Sequence, residues 1–397
     1  MKKITQKVIA FLLVICIGMT MLAGHASVGS CGLMVVQAKK TDYSRYSNSK
    51  KSWFVKRESD HQPSEGAVSA KSLATYNAYY YDYKTKDKVI YLTFDCGYEN
   101  GYTGRILDIL KKYDVKAVFF VTKHFVKSQP ELCKRMKEEG HLVGNHTMNH
   151  PSLPTKSVSQ IRNEVRGLEQ IFKEETGYQL DKYFRPPMGE FSDRILKVVQ
   201  DMGYTTVFWS MAYYDYDPAK QPGKQYVIDH FKKYYHKGAI PLLHNISKSN
   251  TEALNEVLKF LKKQGYQCMR IDAIGQSADP HVAVPQWEKH VSVDREDDAG
   301  HVVLEFYADV KKKDIKPEGF EIYRKEKGGK YKLLGIKKAN KTLHCVYKDS
   351  TAKEGRTYYY KVKAYCYLYG KKYVTNMPAA MKRTVVSQLE NDSEQDG

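Results

Sequence analysis

The strongest constraint on how this chain can fold is an unbroken alternation of strand and helix signals from Lys88 to about Ile274. β-Branched and aromatic runs at Val89–Asp95, Ala117–Val121, Leu142–Asn145, Tyr183–Arg185, Thr205–Trp209, Ala239–Leu243 and Gln267–Arg270 read as strands. The segments between them carry helix punctuation. Ser157 or Ser159 opens one whose Ile161, Val165, Leu168 and Phe172 share a face, and Gly177 closes it. Ser192 opens another that stops at Gly203, and Thr251–Gln264 is a third, closed by Gly265. About seven such units in one run imply parallel strands, in a barrel or a doubly wound sheet.

Within this run the stretch from Val89 to Thr103 stands out. Val89–Thr93 and Phe94 carry Asp95 to the end of a strand, and the chain must turn at Cys96-Gly97. Thr103 is then placed to cap a helix with Ile106, Leu107, Leu110 and Tyr113 at helical spacing. Carboxyl ends of buried strands are where α/β proteins assemble their sites. Asp95 is either such a residue or a cap for the turn that follows.

After Pro285 the period changes to short alternating strands, Val302–Tyr307, Gly319–Arg324, Tyr331–Gly335, Leu343–Tyr347, Tyr358–Tyr367 and Tyr373–Thr375, with no amphipathic helix between them. That pattern predicts an all-β sandwich over residues 289–388. Residues 39–75 are polar and read as a lead-in, partly ordered at best, before a barrel domain over 76–276. Residues 277–288 read as a linker and 389–397 as an acidic tail.

The chain has 397 residues and a net charge of +19, which points to an anionic partner: nucleic acid, a membrane surface or a cell wall. Lys2, Lys3 and Lys7 precede an apolar run from Val8 to Leu22, which reads as a signal peptide over residues 1–38, with cleavage after Ala26 or Ala38. An uncleaved anchor is the alternative; the run is short for a spanning helix. Export favours a wall polymer over nucleic acid as the partner, and leaves no membrane span after cleavage. Cysteines are scattered without a CxxC pair, so the chain is not a disulfide scaffold.

Polar residues cluster just after the predicted strands. His146 and His150 follow the third, Arg185-Pro186-Pro187-Met188-Gly189 the fourth, Asp215 and Asp217 the fifth, and His244 ends the sixth. Two histidines four apart on one helical turn can reach one metal ion; capping or surface histidines read the same way. Arg185, stiffened by the prolines, could orient a carboxylate or make a surface salt bridge. His244 is a site residue or a satisfied core histidine, and Asp215 a partner for it or a loop cap. Five strand ends carrying Asp, His or Arg converge on one face of a barrel, which packing alone does not explain.

Taken together, Thr93-Phe94-Asp95-x-Gly97, His146-Thr147-x-x-His150, Arg185-Pro186-Pro187-x-Gly189 and Leu242-Leu243-His244 resemble the motifs of the polysaccharide deacetylase (NodB-homology) family, carbohydrate esterase family four. The stretch Gly97–Thr103, with Ser52-Trp53-Phe54 and Tyr76-Asn77-Ala78-Tyr79-Tyr80, is similar to the branch of δ-lactam-biosynthetic de-N-acetylases of spore peptidoglycan. The resemblance covers residues 50 to 276 and implies a distorted (β/α) barrel that hydrolyses an N-acetyl group on a glycan, with muramic acid of peptidoglycan favoured. It implies Asp95 as general base, Arg185 as the residue holding it, and His146 and His150 as ligands of a divalent ion. It implies His244 as general acid tuned by Asp215, and the Met188 backbone N–H beside Pro187 as oxyanion and substrate contact. The family's third metal ligand follows the base directly, and here that position is Cys96. Cys96 is a thiolate ligand, which would favour zinc, or an unligated buried thiol. Alternatives from other classes are a deacetylase of wall N-acetylglucosamine, chitin or xylan, and a wall-binding protein that lost the metal.

The C-terminal region resembles a fibronectin type III module. Gly319–Arg324 matches its third strand and Gly355–Ala364 its tyrosine corner. It carries no catalytic cluster and reads as a spacer or as a module binding wall or protein.

Overall fold

The structure, a computed structural model, describes residues 41–276, 285–287, 302–311, 314–353, 355–375 and 380–385. The predicted signal peptide and acidic tail lie outside the described residues. Seven short strands, β1 (Ala78–Tyr79), β2 (Thr93–Cys96), β3 (Val118–Val121), β4 (Leu142–Asn145), β5 (Tyr183–Phe184), β6 (Thr205–Val207) and β7 (Leu242–His244), form one sheet. Their order is β7-β2-β3-β4-β5-β6-β1 and every pairing is parallel. The sheet curls into a half-barrel. Isolated bridges from Tyr81 to Ala239 and from Met211 to Pro241 span the ground between its two edges.

Helices α1 (Thr103–Lys112), α2 (Lys123–Ser128), α3 (Pro130–Glu138), α4 (Val158–Thr176), α5 (Asp193–Asp201), α6 (Lys224–Tyr234) and α7 (Lys248–Lys263) make the crossovers. The predicted punctuation of α4 is present. Ser157 accepts from the Gln160 N–H and Gln160 reciprocates, a capping box, and Gly177 ends the helix at φ 79°. Thr103 does not cap α1; it is the first helical residue. The Glu99 carboxylate takes the capping role instead, accepting from the Thr103 N–H at 3.2 Å and from its hydroxyl.

Side-chain parity along β2 divides its residues between two environments. Phe94 and Cys96 join Ile106, Leu107 and Leu110 of α1 and Leu254, Leu258 and Leu261 of α7 in an apolar layer between sheet and helices. Thr93 and Asp95 point to the other face, inside the curl, where they meet Arg185.

Three expectations are corrected. The strand read over Val89–Asp95 is broken at Tyr91-Leu92, and Gln267–Cys268 pairs only with Val89–Ile90, in a separate two-stranded piece. The seventh place in the sheet belongs to β1, which runs beside β6; the Thr206 N–H donates to Asn77 O at 3.0 Å and the Phe208 N–H to Tyr79 O at 2.7 Å. The lead-in is ordered from Thr41 onward, not loose. Lys51–Ser52 pairs antiparallel with Glu190–Phe191, and the Trp53 N–H donates to Gly189 O at 2.8 Å. The Trp53 ring is buried, stacked on Phe208 with centroids 4.5 Å apart, and its indole N–H donates to Trp209 O at 3.0 Å. Polar composition hid Trp53 and Leu73, both buried in one cluster with Phe191 and Phe208.

The C-terminal region contains two antiparallel sheets. One holds β8 (Pro285–Trp287), β9 (Val302–Ala308) and β12 (His344–Asp349); the other holds β10 (Gly319–Glu326), β11 (Lys332–Lys338), β13 (Thr357–Leu368), β14 (Lys371–Val374) and β15 (Met381–Thr384). They share one core, to which β13 contributes Tyr358, Tyr360, Val362, Ala364 and Cys366 at period two. Pro285–Trp287 falls within the segment read as linker, yet it is a strand paired with β9. The Tyr358 hydroxyl accepts from the Lys353 N–H at 3.0 Å, a bond back across the corner. The cysteines of the described residues are all free.

Trp53→Ala is expected to lower the unfolding free energy by about 3–5 kcal/mol, the usual cost of emptying a buried aromatic site. Chemical denaturation measures it; a cost near zero would mean the lead-in does not pack.

Candidate active site

Arg185 leaves the end of β5 and is fully buried. Its guanidinium spends itself on four acceptors. Nε donates to Val207 O (3.0 Å), Nη1 to Asp95 Oδ1 (2.7 Å), and Nη2 to Thr93 Oγ1 (2.8 Å) and Phe208 O (3.2 Å). The Phe120 ring lies beneath it, 4.4 Å from the guanidinium carbon. Thr93 enters the sequence reading only as a member of the Thr93-Phe94-Asp95 motif, with no role of its own; its place two residues before Asp95 puts it on the same face. Burial alone would raise the Asp95 carboxyl, but the Arg185 charge, the nearby imidazoles of His146 and His244 and the Arg185 hydrogen bond together hold it below its ordinary 3.8.

His244 lies directly across the strand pair from Asp95, since the two are register partners between β7 and β2. Its Nδ1 lies 2.7 Å from Asp215 Oδ1, and its backbone N–H donates to Asp215 Oδ2 at 2.8 Å. Asp215 is fully buried, and the Asn250 side-chain N–H fills its remaining site at 2.6 Å. Desolvation would lower the His244 pKa, but the Asp215 charge and hydrogen bond, helped by the Asp95 charge, raise it above 6.5. Asn250, at the start of α7, is a partner that the sequence did not flag. Asp217 is half-buried; its carboxylate accepts from the Ala219 N–H and stays outside this network.

The pair His146 and His150 is brought together, though not on the helical turn expected. Residues 146–150 are an irregular loop in which Thr147 and His150 take φ values of 66° and 52°. Side chains fix that loop. Asn145 Oδ1 accepts from the Thr147 N–H, Thr147 Oγ1 from the His150 N–H, and Glu164 from Asn149. The two rings lie 4.7 Å apart. The Arg185 carbonyl accepts from His146 Nδ1 at 2.8 Å, which leaves Nε2, 3.5 Å from Asp95 Oδ2, as the ring's free nitrogen. Burial lowers the His146 pKa to about 4, so the ring is neutral, the form that binds metal.

Cys96 is not in this group. It is fully buried in the apolar layer behind the sheet, and burial raises its thiol well above the ordinary 9.0. The alternation that aims Asp95 inward aims Cys96 outward, so of its two readings the placement matches the unligated buried thiol. Among the described residues, no set of three His, Cys, Asp or Glu is arranged to hold a metal. The donor set present is two neutral imidazoles, which suits an ion that takes its other ligands from water and substrate.

Asp95, His146, His150 and His244 open onto one cavity of about 720 Å³. Pro186, Met188 and Gly189 form part of its wall, with Trp209, Tyr216 and Tyr98. Met188 sits in the left-handed region (φ 57°, ψ 9°) at the rim, while Pro187 is buried behind it. Asn245 also lines the cavity, and its amide donates to Tyr98 O and to Thr103 Oγ1, both at 2.8 Å. It was not anticipated, and no spacing rule would have found it.

A carboxylate held ionised, an imidazole held protonated and two neutral imidazoles around one cavity define a hydrolase site on a parallel half-barrel. Residues 82–207 match the family model described as polysaccharide deacetylase. The peptidoglycan-N-acetylmuramic acid deacetylase PdaA of Bacillus subtilis is 49% identical over 221 residues, 55% of this chain and 84% of that protein. A peptidoglycan-N-acetylglucosamine deacetylase of Bacillus cereus is 35% identical over 193 residues, 47% of this chain and 88% of the relative. A solved structure of Bacillus subtilis PdaA, described as a family 4 carbohydrate esterase, superposes with a TM-score of 0.55 at 48% identity, covering 58% of this chain and 98% of that one. The chain belongs to the polysaccharide deacetylase family and is a hydrolase of carbohydrate esterase family four.

Cys96→Ser is expected to leave zinc affinity within about twofold of wild type, because loss of an inner ligand would cost far more than the tenfold typical of outer-shell changes. Isothermal titration decides; a tenfold weakening would return the sulfur to the metal.

Proposed function

We propose that this protein is an exported, metal-dependent de-N-acetylase acting on muramic acid residues of peptidoglycan, in formation of the muramic δ-lactam of spore cortex. The observation that carries the chemistry is the opposition of Asp95 and His244 across one strand pair, each held by its own buried partner in the protonation state opposite to the other's. The similarity to a named muramic acid deacetylase and the Gly97–Thr103 stretch support the choice of sugar. The basic N-terminal segment with its apolar run supports export, and the net charge of +19 suits a wall polymer. Among the described residues no helix is long and apolar enough to cross a membrane.

In this reading Asp95 takes the proton of the attacking water, whose oxygen adds to the acetamide carbonyl carbon. Arg185 keeps Asp95 ionised and aimed. The backbone N–H of Met188, beside Pro187, receives the developing oxyanion. His244 gives its proton to the departing nitrogen as the C–N bond breaks, leaving acetate and a free amine. Asp215 fixes the His244 ring and favours its charged form. His146 and His150 would hold a divalent ion, zinc among those that imidazole suits, and such an ion when bound would polarise the carbonyl and acidify water. The C-terminal sandwich is read as a fibronectin type III-like accessory module.

Mass spectrometry of muropeptides after incubation with the purified protein tests the substrate. Loss of the acetyl group from muramic acid is expected; loss only from glucosamine would move the enzyme to the other wall sugar. Asp95→Asn and His244→Ala are each expected to lower kcat by about two to four orders of magnitude, the scale of a general acid or base. Near-normal turnover in either folded variant would remove that residue from its role.

The sign of the pH response follows from the two pairs. His244 stays protonated above its ordinary 6.5 because of Asp215. The alkaline limb of kcat/KM therefore lies above that value in wild type, and activity falls as pH rises through it. Asp215→Asn removes the charge, so the limb moves to lower pH; an unmoved limb would assign it to another group.

A further inference from the structure

The larger C-terminal sheet has an outer face that none of the catalytic reading uses. Along β13 the residues that alternate with the core positions are Tyr359, Lys361, Lys363, Tyr365 and Tyr367, and all of them are partly or fully exposed. Register sets the neighbours. Lys325 of β10 lies across from Tyr359, Tyr323 from Lys361, and Lys372 of β14 from Tyr367. Aromatic and ammonium groups therefore share the strand, and at these three positions they face each other across it.

The lysines are held over the rings. The Lys325 ammonium lies 5.1 Å from the Tyr331 ring centroid and 5.5 Å from that of Tyr359, and Lys361 lies 5.3 Å from Tyr331. Lys363 sits 5.5 Å from Tyr323, and Lys372 sits 4.3 Å from Tyr365. Such contacts limit the rotamers of long side chains before any ligand arrives. Among the described residues of β10 and β13, one carboxylate points to this face, Glu321, and it is committed to Lys372 at 2.6 Å and to the Tyr323 hydroxyl at 2.7 Å; Glu318, before β10, accepts from the Tyr367 N–H at the edge. Lys325, Lys361 and Lys363 make no ion pair among the described residues, although Glu321 stands across from Lys363 and senses its charge. A solvated strand face usually interleaves both signs; along β10 and β13 this one is mostly lysine and tyrosine, with exposed Leu333 and Ile336 beside them on β11.

We propose that this tyrosine–lysine face is a secondary binding surface for an acidic glycan, the peptidoglycan strand itself, distinct from the catalytic cavity. Flat tyrosine rings give amphipathic contact area at small entropic cost, which suits pyranose rings. The fixed ammonium groups suit the carboxylates of lactyl and stem-peptide groups spaced along the strand. The choice of polymer rests on the proposed function; the surface does not. Its role is to hold the enzyme on its insoluble substrate, raising the local concentration at the cavity.

The test uses the full chain and insoluble peptidoglycan stripped of phosphodiester polymers, with binding measured by co-sedimentation. The variant Lys325→Glu/Lys361→Glu/Lys363→Glu is expected to bind at least about tenfold more weakly, the combined effect of three surface charge pairs reversed. The control is Lys259→Glu/Lys262→Glu/Lys263→Glu, which makes the same charge change on the exposed face of α7; it should stay within about twofold, as distant surface charges are screened. Turnover of a small soluble glycan should be unchanged in both, and matching melting curves show that both fold. Tyr359→Ala/Tyr365→Ala, which keeps the charge, should weaken binding as well. Equal weakening in the control would reduce the effect to net charge and overturn the proposal. Retention only by unstripped walls would assign the face to a phosphate polymer and overturn it too. If the enzyme deacetylates no muramic acid yet sediments through these lysines, the substrate reading fails and the surface stands. If it deacetylates normally and the triple variant sediments like wild type, the surface alone fails.

Discussion

A single buried guanidinium organises the barrel interior. Arg185 donates to backbone carbonyls after β6, to the threonine and the aspartate of β2, and through its own carbonyl orients a histidine after β4. An arginine with no exposed surface is tolerable only when its donors are paired and its charge is compensated. Asp95 supplies the compensation, so carboxylate and arginine are each the condition of the other's burial. The second pair, His244 with Asp215, repeats the logic with opposite consequence: there the charged partner stabilises a cation. Two ion pairs, side by side across β2 and β7, thus keep a carboxylate ionised opposite an imidazole whose charged form is favoured.

Much of this was legible in the chain. Strand ends carrying Asp95, His146, Arg185 and His244 are read directly, because a polar residue after an apolar run has few places to go. The motif set then fixes the family, which the relatives bear out. What escaped depends on three-dimensional neighbours. Asn250 and Asn245 reach the network from the start of α7 and the loop before it, and nothing in their local sequence marks them. β1 is two residues long and is a strand only because β6 lies beside it. Val89–Asp95 looked like one strand, since β propensity does not register that the ladder partner changes from Gln267–Cys268 to β7 and β3 along its length.

Cys96 shows how adjacency in sequence misleads. Standing next to the base, with two histidines nearby, it looked like a third ligand. The pleat turns neighbouring side chains to opposite faces, and the thiol lands among leucines and phenylalanines. The histidine pair is the converse case. Spacing of four predicted a helical turn, and the structure reaches the same proximity through a loop with two left-handed residues pinned by Asn145 and Thr147.

The strap formed by Lys51–Trp53 has a practical bearing on where the catalytic unit begins. It is hydrogen-bonded to the residues just after the Pro187–Gly189 turn, and a Cβ on Gly189 would press against Trp53 and Trp209. The wall of the cavity is thus clamped by chain lying well before Asp82, where the family match starts. A fragment cloned to the borders of that match would keep each motif residue after Asp82 up to Val207, but would lose the strap as well as His244. Expression boundaries for this catalytic unit lie before the strap at Lys51 on one side and after Ala273, buried with Val89 and Tyr91, on the other, not at the extent of recognisable homology.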